Sequence, residues 1–273
     1  STLILFFNSP FSCILYLRKQ KSKFKKGGLI MVINLFCDAS IDLNNKLACG
    51  GCYIVRQDPN GEIFPIGHKR ILQANATNNS AEILAIWVGV VEALRLRSLY
   101  PGAIFRLFSD SKISLYGLRD WLKAWVNNIK PDGTLISSNG QPVMNQQRFI
   151  DIFNLIVENN LRIELYHQRG HVKERRMPME IARAQFIKAN KVSPENMGIS
   201  IEQLCVGNDM IDHMTRDAIQ SWLHAGVLEE NTEFEGIIPF DYIIRKELLH
   251  QYIRCIDKTT VKSRHDFKGG YNQ

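Results

Sequence analysis

From Val32 to Asp38 the apolar positions follow a period of two and strand-forming residues dominate, which predicts a first β-strand. Cys49 to Arg56 and Ile63 to Lys69 predict two more, joined through Asp58-Pro59-Asn60-Gly61, whose residue types favour a turn. The three read as an antiparallel meander. From Ser80 to Leu99 the period changes: Ile83, Leu84, Trp87, Val88, Val91 and Leu94 recur at helical spacing, and the run stops before Pro101. The chain then predicts a strand over Ile104 to Phe108, helix over Ile113 to Val126 and Gln146 to Asn159, and a strand over Leu161 to Tyr166. Asn208 to Leu223 predicts a further helix, with Asn208 as its cap. Three strands, a helix, a strand, helices and a last strand describe an α/β fold on a mixed five-stranded sheet. No internal repeat is visible.

Composition narrows the class. With 273 residues, 45% hydrophobic and 22% charged, and 18 Gly and 9 Pro, the chain is neither disordered, collagenous nor of low complexity. Its formal charge of +7 is unevenly spread. Arg18, Lys19, Lys21, Lys23, Lys25 and Lys26 stand in the first 30 residues without an acid, so the remainder is almost neutral and a polyanion partner must be argued from local patches. The 6 cysteines are too scattered for a disulfide framework, which favours a reducing compartment. Cys49 and Cys52 form a lone CxxC on a predicted strand, better suited to packing than to zinc.

Residues 1–30 read as a leader that is disordered or translated from upstream sequence. The apolar run from residue 3 to 17 is broken by Asn8, Ser9, Pro10 and Ser12, lacks a preceding positive charge, and is short of the ~20 residues that span a bilayer. Lys26-Gly27-Gly28 before Met31 can be encoded by a purine-rich ribosome-binding sequence, so Met31 is expected to be the native start. A cytoplasmic body without a membrane partner follows as the expectation.

The candidate chemistry is acidic. Asp38 ends the first strand, Asp110 follows the fourth, and Glu82 lies in the first turn of the helix between them, where α/β folds gather sites beyond strand carboxyl ends. Thr77-Asn78-Asn79-Ser80-Ala81-Glu82, Ser109-Asp110-Ser111, Trp121 with Trp125, Gly170-His171, and Asn208 with Asp212 occur in an order and spacing that resembles type 1 ribonuclease H over residues 32 to 220. The resemblance implies a ribonuclease H-like fold and a metal-dependent endonuclease that cuts the RNA strand of RNA/DNA hybrids, leaving 3′-hydroxyl and 5′-phosphate ends. It assigns Asp38, Glu82, Asp110 and Asp212 to the catalytic metal site, with Asp212 preferred over Asp209, and His171 to leaving-group protonation or product release. Two Mg²⁺ ions, or Mn²⁺ in their place, are the implied cofactors, and hydrolysis of a phosphodiester suits two hard cations ~3.5 to 4 Å apart.

The same resemblance implies a substrate-binding set. Asn78 and Asn79 would contact the RNA 2′-hydroxyl, which donates and accepts hydrogen bonds. Thr77 and Asn145 match positions that hold a DNA phosphate, although Asn75 stands where the family has arginine; Thr77 or Asn78 can alternatively cap the helix. Ser138 joins this substrate set. Trp121 and Trp125 would line the DNA channel, core packing being the alternative, and Asn127, Asn128 and Lys130 follow where the family has a lysine-rich protrusion. His167 reads as an ordinary, partly buried histidine. Residues 172–207 form an insertion carrying Lys173, Arg175, Arg176, Arg183, Lys188 and Lys191, with helical character over Met179 to Ala189; it is either a basic lid over the hybrid or a solvated excursion. The catalytic domain is expected over 31–223, as a monomer, with 224–273 as a C-terminal extension containing apolar Ile237 to Tyr242 and a helix around Lys246 to Ile256. Another nuclease or transposase of the ribonuclease H-like superfamily, or a non-catalytic nucleic-acid-binding domain, is the competing reading.

Overall fold

The computed structural model describes residues 31–58, 60–236, 244 and 246–256; the leader, Pro59 and the apolar stretch from Ile237 to Tyr242 lie outside the described residues. Strands β1 (Val32–Asp42), β2 (Leu47–Gln57) and β3 (Ile63–Ala74) form the expected antiparallel meander, and β4 (Ile104–Ser109) and β5 (Ile163–His167) add in parallel beside β1. The turn after β2 is closed by Gly61 N donating to the Asp58 carbonyl, with Gly61 at φ 86°. A sixth strand corrects the expected count of five: β6 (Thr232–Phe234) pairs in parallel with Arg70 to Leu72, giving the order β5-β4-β1-β2-β3-β6. Three residues are too few to show a period of two, so this strand exists only through its pairing. Buried Arg70 supports the pairing by donating to the carbonyls of Met214 and Glu230 and by its ion pair with Glu229.

Both faces of β1 are covered. Helix α1 (Asn78–Leu99) lies on one face, and Ile33, Leu35 and Cys37 join its Ile83, Leu84, Ile86 and Val90 in the main core. Its capping box is complete: Thr77 Oγ1 accepts from Ser80 N, and Ser80 Oγ accepts from Thr77 N. The opposite face takes α6 (Ile201–Ala225), which crosses Phe36 at Gly207, where a Cβ would lie 2.6 Å from the ring. Asn208 is therefore not a cap. The helix begins at Ile201, capped by Ser200, and Asn208 sits on its buried face.

The segment from Ile113 to Val126 is not one regular helix. It is divided into α2 (Lys112–Tyr116), a π-helical turn (Gly117–Trp121) and α3 (Leu122–Asn127). At the break Gly117 abuts the Phe149 ring of α4 (Gln146–Glu158), leaving 2.6 Å for any Cβ. The extra residue in the turn changes the faces that later residues present.

The insertion is not a solvated excursion. Its helix α5 (Met179–Asn190) seats Phe186 in a second core on the α6 face of the sheet, with Phe36, Phe108 and Tyr166. Phe36 stacks on Phe108 at 5.1 Å and Phe108 on Tyr166 at 5.4 Å. Asn190 also seals the sheet edge: its Oδ1 accepts from His167 N at 2.9 Å and its Nδ2 donates to His167 O at 2.6 Å. Blunting an edge in this way removes a template for intermolecular pairing. Asn190→Ala leaves two buried backbone groups unpartnered and is expected to cost about 1–3 kcal/mol, measured by urea denaturation; an unchanged midpoint would contradict the role.

Among the described residues after 223, two elements pack on the same body. Besides β6, helix α7 (Leu249–Ile256) packs Tyr252 on Phe153 at 4.9 Å, and the Tyr252 hydroxyl donates to the Leu118 carbonyl at 3.0 Å. Leu249, Cys255 and Ile256 join the main core.

Candidate active site

Three carboxylates meet where β1 and β4 run side by side. Their parallel register ends with Cys37 opposite Ser109, so Asp38 and Asp110 emerge at the same end of the sheet. Glu82 arrives from the first turns of α1, whose start is set by the Thr77 cap. One oxygen of each of Asp38, Glu82 and Asp110 lies within 4.8 Å of the others. Burial raises the Asp38 carboxyl well above the ordinary range, and the charges of Asp110 and Glu82 raise it further. Glu82 is pushed up to about 8 by burial and by Asp110. Burial raises Asp110 also, against the lowering influence of His171. Glu82 Oε2 is buried and accepts no hydrogen bond from the protein. Such a group is costly alone and is suited to a hard divalent cation, which takes oxygen ligands and removes the mutual repulsion. Asp38, Glu82 and Asp110 are therefore the residues that could hold a metal.

Asp212 stands beside this group rather than within it. It is close enough to raise both Asp38 and Asp110, yet its carboxylate is paired with Arg216 and lies 3.7 Å from His171 Nδ1. Asp209 faces elsewhere and pairs with Lys173 at 3.0 Å. The sequence reading missed two supporting amides: Gln168 Nε2 donates to Asn208 Oδ1 at 2.5 Å, and Asn208 Nδ2 donates to Asp38 Oδ2 at 3.3 Å. The spacing of Asn208 and Asp212, four apart on one helix, was the available signal, because it puts both side chains on one face.

Gly170 packs directly on Asp110. A Cβ there would fall 1.9 Å from Asp110 Oδ2, so Gly170→Ala must displace the carboxylate or the loop. We expect cleavage to fall by roughly 10²-fold with the far-UV spectrum unchanged, since a shift of ~1 Å at a reacting centre has that effect; full activity would show that Asp110 tolerates the displacement.

The substrate candidates divide by exposure. Asn78 and Asn79 are exposed beside Glu82, while the Thr77 hydroxyl is committed to its cap, the alternative raised for it above. Asn145 adopts a left-handed conformation, φ 55°, and lines a cavity with Asn75 and Arg148. Ser138 is exposed in the turn where Gly140 N donates to the Ser137 carbonyl. The tryptophan pair is split: Trp121 is 41% exposed, whereas Trp125 is 8% exposed and packs edge-on against Phe149 at 5.1 Å. Trp125 therefore belongs to the core rather than to the expected channel, its ring 6.0 Å from that of exposed Trp121. Burial lowers His167 to about 4, keeping it neutral at ordinary pH. Cys49 and Cys52 are buried in separate clusters, and burial raises both thiols, which fits packing rather than metal ligation.

Buried acids at the carboxyl ends of parallel strands, on a mixed sheet covered by helices on both faces, define an α/β protein with an acidic centre suited to a hard divalent cation. The RNase H family pattern matches residues 31–220, and the chain belongs to the RNase H family, with the enzyme class of a ribonuclease H. A ribonuclease H of Thermosynechococcus vestitus is 29% identical over 123 residues, spanning 45% of this chain and 68% of that protein. Among solved structures, LC9-RNase H1, a type 1 RNase H with the type 2 active-site motif, is 18% identical, with TM-score 0.41 over 61% of this chain and 75% of that one. The PFV RNase H domain is 20% identical, with TM-score 0.40 over 60% and 94%. Membership rests on the family match, not on these scores. Among the described residues no helix is long and apolar enough to cross a membrane.

Proposed function

We propose that this chain is a Mg²⁺-dependent endonuclease that hydrolyses the RNA strand of RNA/DNA hybrids, leaving 3′-hydroxyl and 5′-phosphate ends. The observation that carries the reading is the convergence of Asp38, Glu82 and Asp110, from β1, α1 and β4, to within 4.8 Å. Two hard cations, when bound, supply an activated water on one side of the phosphorus and stabilisation of the leaving oxygen on the other. Asp38, Glu82 and Asp110 would hold one cation, and Asp212, near enough to raise both Asp38 and Asp110, would serve the second. His171, next to Asp212, carries a proton to the departing 3′-oxygen. Asn78 and Asn79 read the 2′-hydroxyl, while exposed Trp121 packs on deoxyribose.

The test is cleavage of an end-labelled hybrid beside duplex RNA and duplex DNA, with Mg²⁺ or EDTA. Hybrid-restricted cleavage that needs Mg²⁺ and is lost in Asp110→Asn supports the proposal. Equal cleavage of duplex DNA would favour another nuclease of the superfamily, and binding without cleavage would favour a non-catalytic domain.

A further inference from the structure

We infer that Glu174, braced by Arg216, is the positioning residue for His171, so that the insertion acts on the reaction through the histidine loop; this rests on the hydrolysis proposed above. Both sides of the loop are pinned. His171 follows Gly170 in a left-handed conformation, φ 54°, and its carbonyl accepts from Arg175 N at 3.0 Å. Val172 is buried in the second core, its carbonyl accepting from Met177 N at 3.0 Å, and Lys173 holds Asp209 of α6 at 3.0 Å. Within this frame the Glu174 carboxylate is a bridge. One oxygen meets His171 Nδ1 at 3.0 Å, and the other accepts from Arg216 Nη2 at 3.3 Å.

The consequence for the ring is specific. An imidazole whose Nδ1 donates to a carboxylate is held in rotation, and Nε2 is its remaining polar atom for a reacting group. Arg216 has a second task, because the same guanidinium grips Asp212 one turn earlier on α6. It thereby ties the histidine, the insertion and the fourth acid into one unit. His171, Glu174 and Asp212 could together offer ligands to an ion, their nearest atoms lying within 4.8 Å of one another. Arg216 already supplies the positive charge between Glu174 and Asp212, which makes the cluster a positioning network instead. Glu174 is 54% exposed and His171 34%, so these contacts add little to stability and their effect falls on turnover.

The experiment is steady-state hybrid cleavage by the full chain with Mg²⁺, comparing Glu174→Ala, Glu174→Gln, His171→Ala and the double variant Glu174→Ala with His171→Ala. Glu174→Ala is expected to lower kcat about 10-fold, with KM within about two-fold and a melting midpoint within about 2 °C of wild type. Glu174→Gln keeps an acceptor oxygen and is expected to recover most of the loss. The double variant should be no slower than His171→Ala alone, as expected for two residues that act as one. Multiplying losses, an unaffected kcat in either single alanine variant, or a loss confined to KM or to stability would overturn the positioning while leaving the hydrolysis intact. A wild-type chain that cleaves no hybrid would overturn the underlying reading, and this role with it.

Discussion

Glu82→Gln is expected to abolish hybrid cleavage while making the metal-free protein more stable. The glutamine keeps the size of the side chain but removes a negative ligand from the Asp38, Glu82 and Asp110 group. Cleavage should fall by at least about 10³-fold, because an electrostatic contribution to a phosphoryl transition state cannot be replaced by water in a closed site. Stability should move in the opposite direction. Glu82 is pushed up to about 8 by burial and by Asp110, so folding at neutral pH forces a proton onto an acid that the unfolded chain ionises freely. An amide has no such cost, and its NH₂ can donate to the adjacent carboxylates, replacing repulsion by hydrogen bonds. A rise of several degrees in melting midpoint is expected, at about 2–4 °C per kcal/mol for a chain of this size. Loss of activity with lowered stability would mean that Glu82 is a structural residue. This is the trade expected where a site is held in a strained, charge-rich state for function.

The second large effect is on pH. The carboxyl groups of Asp38, Glu82 and Asp110 are all raised in the folded protein, so over this range the unfolded chain holds fewer protons than the folded one. Stability therefore falls as pH rises, beginning near 4, the ordinary carboxylate range, and continuing to about 8, where folded Glu82 ionises. Each raised acid can contribute up to roughly 1.4 kcal/mol per pH unit crossed. His167 works the other way: it is lowered to about 4, which makes stability rise with pH, but only until the ordinary histidine value near ~6.5 is passed. Thermal melts in EDTA between about pH 6.5 and 8 isolate the acids from His167, and the midpoint should decline across that window. Saturating Mg²⁺ should remove most of the decline, since a ligand at 100 times its Kd adds about 2.7 kcal/mol and binds the ionised acids. Parallel curves with and without Mg²⁺ would show that the acids do not bind the ion.

Most of the site was readable because its parts are local. The period of two in β1, the helical spacing of α1 and the capping signal at Thr77 place Asp38 and Glu82 at element ends, and Asp110 directly after β4 follows from the same reasoning. Where the reading failed, a contact between remote segments had overridden a local signal. Asn208 has the chemistry of a cap, but α6 runs through it because Ser200 already caps that helix and Gly207 fits Phe36. Trp121 and Trp125 share a helical face by spacing and their rings lie 6.0 Å apart, yet Trp125 is buried against the Phe149 ring while Trp121 stays exposed.

The sequence by itself determined the α/β class and the order of the first five strands along the chain, and it marked the candidate acids by motifs that resemble a family, since each depends on periodicity or on residues within a few positions of one another. Only the tertiary structure decided that the basic insertion becomes a packed wall of the second core, that residues 232–234 complete the sheet, and that Arg216 and Glu174 link Asp212 to His171. Those outcomes depend on which buried surface and which charge lie opposite after the chain has closed, and no local pattern of side chains encodes an opposite partner.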